Sequence, residues 1–155
     1  MPYLTDQPIE PSALLQSVES AERGGLACFF GVVRNHHAGR AVLRLEYSAY
    51  GAMAEAECAR IVAETLARWP VAVALRHRVG RLEIGNTAVG IAVAAAHRDA
   101  AFAACRHVIE EVKRRVPIWK RELCADGTEE WVDPTRAGSG AEGQRGSEAA
   151  AGAGA

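Results

Sequence analysis

The sequence predicts an α+β domain, mostly antiparallel sheet with two main helices. Three observations predict it. First, residues 51–69, and the run through Phe102, Cys105, Ile109, Val112 and Val116, repeat apolar positions at steps of three and four. That spacing lays one buried stripe along a helix. Second, the other apolar stretches either alternate or run unbroken between Gly, Pro and Asn, as strands do. Third, short turns such as Gly85-Asn86 and Ala125-Asp126-Gly127 connect strands directly, which favours antiparallel pairing.

The totals narrow the function. A chain of 155 residues, 49% hydrophobic and 24% charged, fits one domain with a real core. A net charge of -1 and a pI near 6.5 argue against a general nucleic-acid binder, so phosphate recognition would be local. No apolar run reaches the length of a membrane span, and no basic-then-apolar signal opens the chain. Cys28, Cys58, Cys105 and Cys124 are far apart without a C-x-x-C pair, which argues against a zinc site or a disulfide framework. Three of the four lie in apolar-periodic segments and read as small buried hydrophobes. A reduced, cytoplasmic setting follows, with no cofactor or metal expected.

In order, residues 1–25 form a lead-in, with Pro11 opening a helix over 12–21 that carries Leu14, Leu15 and Val18 on one side. Residues 26–33 (LACFFGVV) read as a buried strand, with Gly31 marking a bulge or a close approach. A polar loop from Arg34 to Gly39 follows. In 42–49, Leu43, Leu45 and Tyr47 alternate with Arg44, Glu46 and Ser48, a half-exposed strand expected to form a wide hairpin with the first. Pro70 ends the helix over 51–69. Val71, Val73, Leu75 and His77 give a third strand, 81–84 a short piece and 87–96 another strand. The last helix stops near Val116, because Pro117 lacks an N–H and disfavours helical geometry before it. Residues 119–124 and 129–132 form a terminal hairpin. From Thr135 onward no large apolar residue remains, so 1–134 is the domain and 135–155 a disordered Gly/Ala-rich tail.

Cations gather at element ends. Lys113, Arg114, Arg115, Lys120 and Arg121 fall within ten residues around Pro117. A helix end followed by a reversal can bring the Lys113 and Lys120 ammonium groups to one pocket, where like charges are costly unless an anion is expected. The plain alternative is a solvated last turn whose cations complement the helix dipole. Arg34 follows the first strand. His97-Arg98 precedes the last helix, with Asp99 a candidate N-cap, and a helix start with an added arginine suits an anion. Each has a structural alternative: Arg34 as surface, His97 as a satisfied histidine, Arg121 and Glu122 as a cross-strand pair. His36 and His37 are set aside as metal ligands, since adjacent residues point apart and no third ligand is evident. Together the spots suggest a phosphate-bearing small molecule held by Arg34, His97 and Arg98 beside a lysine pair.

Gly31-Val32-Val33-Arg34-Asn35-His36, then Leu45-Glu46-Tyr47, Ala96-His97-Arg98 before Ala101-Phe102, Lys113 through Pro117, Trp119-Lys120-Arg121-Glu122 and Trp131-Val132 occur in this order. In these words and spacings the chain resembles the large, catalytic subunits of molybdopterin synthase over about residues 8–133. The resemblance implies the α/β-hammerhead fold and a sulfurtransferase. The substrate would be cyclic pyranopterin monophosphate, converted to molybdopterin by two dithiolene sulfurs. The sulfur would come from a thiocarboxylate on the C-terminal Gly-Gly tail of a small ubiquitin-like subunit. The assembly would be a heterotetramer around a central homodimer.

Matched residue by residue, the resemblance implies Lys113 as the catalytic lysine and Lys120 as its companion. It implies Arg34, His97 and Arg98 in the substrate pocket, with Arg121 and Glu122 beside them. A lysine crowded by Arg114 and Lys120 would have a lowered pKa, suited to acid–base work near neutrality. Cysteine need not be the nucleophile, since the partner delivers the sulfur. Val32 stands where some members carry lysine, so any side-chain phosphate contact there is absent. The alternative reading is a non-catalytic phosphate- or nucleotide-binding module, in which arginine could replace Lys113.

Overall fold

The computed structural model of the protein describes residues 2–133, and the expected tail over 135–155 lies outside them. In chain order the elements are β1 (Leu4–Thr5), α1 (Pro11–Gln16), β2 (Gly25–Val32), β3 (His36–His37), β4 (Arg40–Ala49) and α2 (Gly51–Arg68). Then come β5 (Val71–Arg78), β6 (Gly80–Glu83), β7 (Thr87–Ala95), α3 (Arg98–Arg115), β8 (Ile118–Cys124) and β9 (Glu129–Val132). The fold class is the α+β one expected, with two long helices and nearly all pairing antiparallel. The exception is β1, which runs parallel to β5. Among the described residues no helix is long and apolar enough to cross a membrane.

Two sheets organise the chain. The first has the order β1-β5-β7-β2; the second runs β3-β4-β8-β9, with β6 also paired to β4. Strand β7 is buried along nearly its whole length, which explains its unbroken run of small and β-branched residues. One face of it, Val89, Ile91, Val93 and Ala95, packs with Ala54, Cys58 and Ile61 of α2 and Ala104, Cys105 and Val108 of α3. The other face, Ala92 and Ala94, packs with Leu14 and Val18. Gly90 leaves room for that layer, since a Cβ there would lie 3.0 Å from both Leu14 and Phe30. A second, smaller core of Val33, Val42, Leu45, Leu82 and Ala88 lies under the second sheet.

Several expectations are corrected. Strands β2 and β4 do not form a hairpin: β2 pairs with β7, and β4 with β3, β6 and β8. The chain leaves the first sheet after the bulge at Gly31/Val32 and enters the second, so the loop joins sheets rather than neighbours. Strand β2 is also an edge strand, leaving Leu26, Cys28 and Phe29 exposed where an unbroken apolar run suggested burial. Phe102 is 66% exposed, because the buried stripe of α3 is Ala101, Ala104, Cys105, Val108 and Val112. Helix α1 ends at Gln16, short of the expected reach. The N-cap of α3 is His97, and Asp99 lies in the first turn, where its charge still suits the dipole.

The end of α3 falls as Pro117 requires. Val116 turns extended, and its amide still donates to Val112 before β8 begins. Arg115 ties this end to α2 by donating to Glu57 at 2.7 Å and Glu64 at 2.6 Å, besides Glu111 on its own helix at 3.3 Å. The helix end that carries Lys113 is therefore anchored.

Candidate active site

At the junction of the two sheets and the end of α3 lies a cavity of about 170 Å³. Its apolar floor is the smaller core, with Val33, Val42, Leu45 and Ala88. Each element delivers a functional group for a local reason. Strand alternation puts Ile118, Lys120 and Glu122 of β8 on the cavity side. Register sets Tyr47 opposite Lys120 and Leu45 opposite Glu122. Helix α3 offers Val112, Lys113 and Val116 from its last turns, and His77 comes from the end of β5. Arg34 arrives just after β2. The bulge there sits beside Gly31, where a Cβ would lie 2.7 Å from Val89, so this glycine is both the bulge and the close approach expected of it.

The electrostatics favour an anion. Arg34, Lys113 and Lys120 face one carboxylate, Glu122, around the cavity. The two lysines differ. Lys120 pairs with Glu122 at 3.2 Å, and the Glu122 side chain is only 4% exposed. Lys113 forms no hydrogen bond or ion pair among the described residues. Its residue surface is open to the cavity mouth, yet the surrounding protein desolvates its ammonium. That burial first, then the Lys120 and Arg34 charges, hold its pKa below the usual lysine range. The crowding cation is not Arg114, which points outward to Glu111 at 2.6 Å. A desolvated amine with a depressed pKa and no counter-ion gives up its proton more readily than a solvated lysine.

Tyr47 and His77 are both pushed toward their neutral forms. Burial, then the Glu122 charge, raises the Tyr47 pKa. His77 Nδ1–H donates to the Arg78 carbonyl at 2.9 Å, since a carbonyl can only accept. Burial pushes His77 down to about 4, with Lys113 adding to the effect. Between its unfolded value of 6.5 and its folded value of about 4, the unfolded chain binds more protons. His77 thus favours folding fully above that window and loses the contribution as pH falls through it. Stability measured by urea unfolding should fall by up to about 3 kcal/mol from this group as the pH drops across the window. The part due to His77 should vanish in His77→Gln.

Not every expected residue reaches the cavity. Arg121 lies on the opposite side of β8, donating to Glu46 at 2.7 Å and lying 5.5 Å from the Trp131 ring. It makes a cross-strand contact, but with Glu46 rather than in a pair with Glu122. His97 and Arg98 line a separate hollow with Gly24, Gly25 and Asp99. They sit at the start of α3 and Lys113 near its end, a separation of about 22 Å at 1.5 Å per residue. One chain cannot bring both ends of one helix to one small substrate. Conversely, His37 enters the site unannounced: its Nδ1 lies 2.6 Å from Glu122 Oε1.

One signal in the sequence could have isolated the site. Of eighteen lysines and arginines, only Lys113 and Lys120 are lysines, and both line this cavity. Elsewhere, where a permanent charge suffices, the chain uses arginine. No cysteine lines the cavity; Cys58, Cys105 and Cys124 are buried in the cores. Burial pushes Cys58 up to about 12 and Cys105 up to about 11, which keeps both thiols inert.

Fold and cavity together define an α+β protein built to receive an anion beside two amines. The model of the MoaE protein family matches residues 4–115. The molybdopterin synthase catalytic subunit of Pyrococcus abyssi is 45% identical over 120 residues, 77% of this chain and 80% of that protein. The one from Bacillus subtilis is 43% identical over 130 residues, 83% of this chain and 82% of that protein. Among solved structures, molybdopterin synthase from Staphylococcus aureus superposes with a TM-score of 0.80 at 35% identity, covering 84% of this chain and 96% of that one. The chain belongs to the MoaE family, that of molybdopterin synthase catalytic subunits.

Proposed function

We propose that this cavity carries the sulfur-transfer step of molybdopterin synthesis. The substrate is cyclic pyranopterin monophosphate, and the sulfur comes from the thiocarboxylate of a small ubiquitin-like subunit ending in Gly-Gly. The observation that carries this reading is the convergence of the only two lysines with Arg34 on a cavity free of thiols. An amine-lined, thiol-free site fits a reaction in which the protein moves protons and the partner brings the sulfur. Arg34 suits the substrate phosphate, with two parallel hydrogen bonds available. Lys113 donates and accepts protons as sulfur adds to the pterin carbons. The partner's terminus, gaining an oxygen from water, leaves as a carboxylate. Lys120, held in place by its ion pair with Glu122, stabilises the negative charge that develops.

In the same reading, the domain spans 1–134, the chain works in the reducing cytoplasm, and two copies form the centre of a heterotetramer. The central homodimer also gives His97 and Arg98 a role, because a second copy can bring the start of its α3 to a site that one chain leaves about 22 Å away. Arg98→Ala is expected to weaken binding of the pterin phosphate about tenfold, the size of one hydrogen bond to a charged group. Calorimetric titration of substrate into the purified chain checks it, and an unchanged affinity removes Arg98 from the phosphate site.

Reconstitution tests the function. The chain is mixed with thiocarboxylated small subunit and cyclic pyranopterin monophosphate, and the dithiolene product is assayed. Product is expected from the wild type and not from Lys113→Ala. A formed complex without product would leave a phosphate-binding module that lacks the chemistry.

A further inference from the structure

The buried carboxylate of Glu122 has two partners on the same oxygen. Lys120 Nζ lies 3.2 Å from Oε1, and His37 Nδ1 lies 2.6 Å from that same atom. All three side chains line the cavity. An ionised carboxylate only accepts, so His37 must present its Nδ1–H to Glu122. That fixes the tautomer and leaves Nε2 free of this role.

The backbone is built to make this contact. His37 closes a two-residue turn against Arg40, and both turn residues, Ala38 and Gly39, have positive φ, 51° and 78°. Glycine adopts this conformation freely, but Ala38 does so at a cost of about 1 kcal/mol. The turn folds β3 back along β4, next to which β8 carries Glu122, and so brings the imidazole onto a carboxylate 85 residues away in sequence. A strained turn that ends in a 2.6 Å charge-assisted contact is a positioning device.

We propose that His37 is a positioning residue for Lys120: by donating Nδ1–H to Glu122, it holds the carboxylate in the one orientation that keeps the Lys120 ammonium fixed in the cavity. Without that donor the carboxylate can rotate about its terminal bonds, and Lys120 loses its fixed place. The inference rests on the sulfur-transfer reading only for its activity arm. It concerns a side chain whose polar contact is with Glu122 and with neither lysine.

The donor-only role makes a specific prediction. Asparagine places an amide N–H close to where histidine places Nδ1–H, but it cannot relay a proton. His37→Ala is expected to lower kcat about tenfold to a hundredfold, the value of one hydrogen bond to a charged group. KM for the pterin phosphate should change less than kcat. His37→Asn should recover most of the rate. A second readout needs no turnover: because the chain has only two lysines, selective lysine labelling gives two side-chain NMR signals. The Lys120 signal should move and broaden in His37→Ala and return in His37→Asn, while the wild-type complex assayed alongside reports on the sulfur-transfer reading by itself. An unshifted Lys120 signal in His37→Ala overturns the proposal. So does a His37→Asn variant that folds, binds the partner and remains as slow as His37→Ala.

Discussion

Lys113→Arg is expected to abolish dithiolene formation, by about 100-fold or more, the usual worth of a positioned acid–base group. The complex with the small subunit should survive. Arginine keeps the charge and suits a helix C-terminus equally well, so binding and fold are preserved. What it cannot do is lose its proton, because a guanidinium stays charged at any working pH. Lys113 differs in this respect: burial, Lys120 and Arg34 all weigh against its charged form. The substitution therefore separates a cation from an acid–base group at one position. Single-turnover rates with a thiocarboxylated partner check it. Turnover near the wild-type rate would reduce Lys113 to a fixed charge and favour the phosphate-binding module.

Glu122→Gln is expected to cost nearly as much, about 100-fold in kcat, because removing one member of a buried ion pair typically costs about 3 kcal/mol or more. Glutamine keeps the shape and still accepts from His37, but it no longer offsets the charge on Lys120. Arg34, Lys113 and Lys120 would then face the cavity with no carboxylate among them. The sign for Lys113 follows: removing a nearby negative charge disfavours its ammonium further, so its pKa falls again and the matching limb of the pH–rate profile moves to lower pH. Affinity for the anionic substrate should hold or rise, because the cavity becomes more positive. A variant with normal kcat and a raised KM would contradict this, since it would place Glu122 in ground-state substrate binding.

The contrast between legible and illegible parts is physical. Strand β7 could be read because burial on both faces demands an unbroken apolar run. The stop of α3 could be read because proline acts locally. Phe102 misled because the buried stripe of α3 is built largely from alanines, which carry little hydrophobic signal, and the large side chain drew the stripe toward itself. The β2–β4 pairing misled because a polar loop between two strands looks alike whether it joins neighbours or crosses between sheets.

Lys113, Lys120, Arg34 and Glu122, grouped from the sequence, line one cavity. His97 and Arg98 were grouped with them by residue type, although a helix of this length already kept the two ends apart. Strand alternation likewise separated Arg121 from Lys120 and Glu122. His37 could not be found by such rules, because its role depends on a tight turn and on a partner strand far along the chain.

The central claim is that Lys113 is a desolvated amine kept ready to exchange a proton, beside a Lys120 that is paired with Glu122. Selective lysine labelling followed by NMR titration tests it with little ambiguity, since only two side chains report and Lys113→Arg assigns them. The predicted result is one signal titrating below the ordinary lysine range, assigned to Lys113, and moving upward when Lys120 is replaced by Met. Two wild-type signals titrating together in the ordinary range, with the one that remains in Lys120→Met unmoved, would contradict the account.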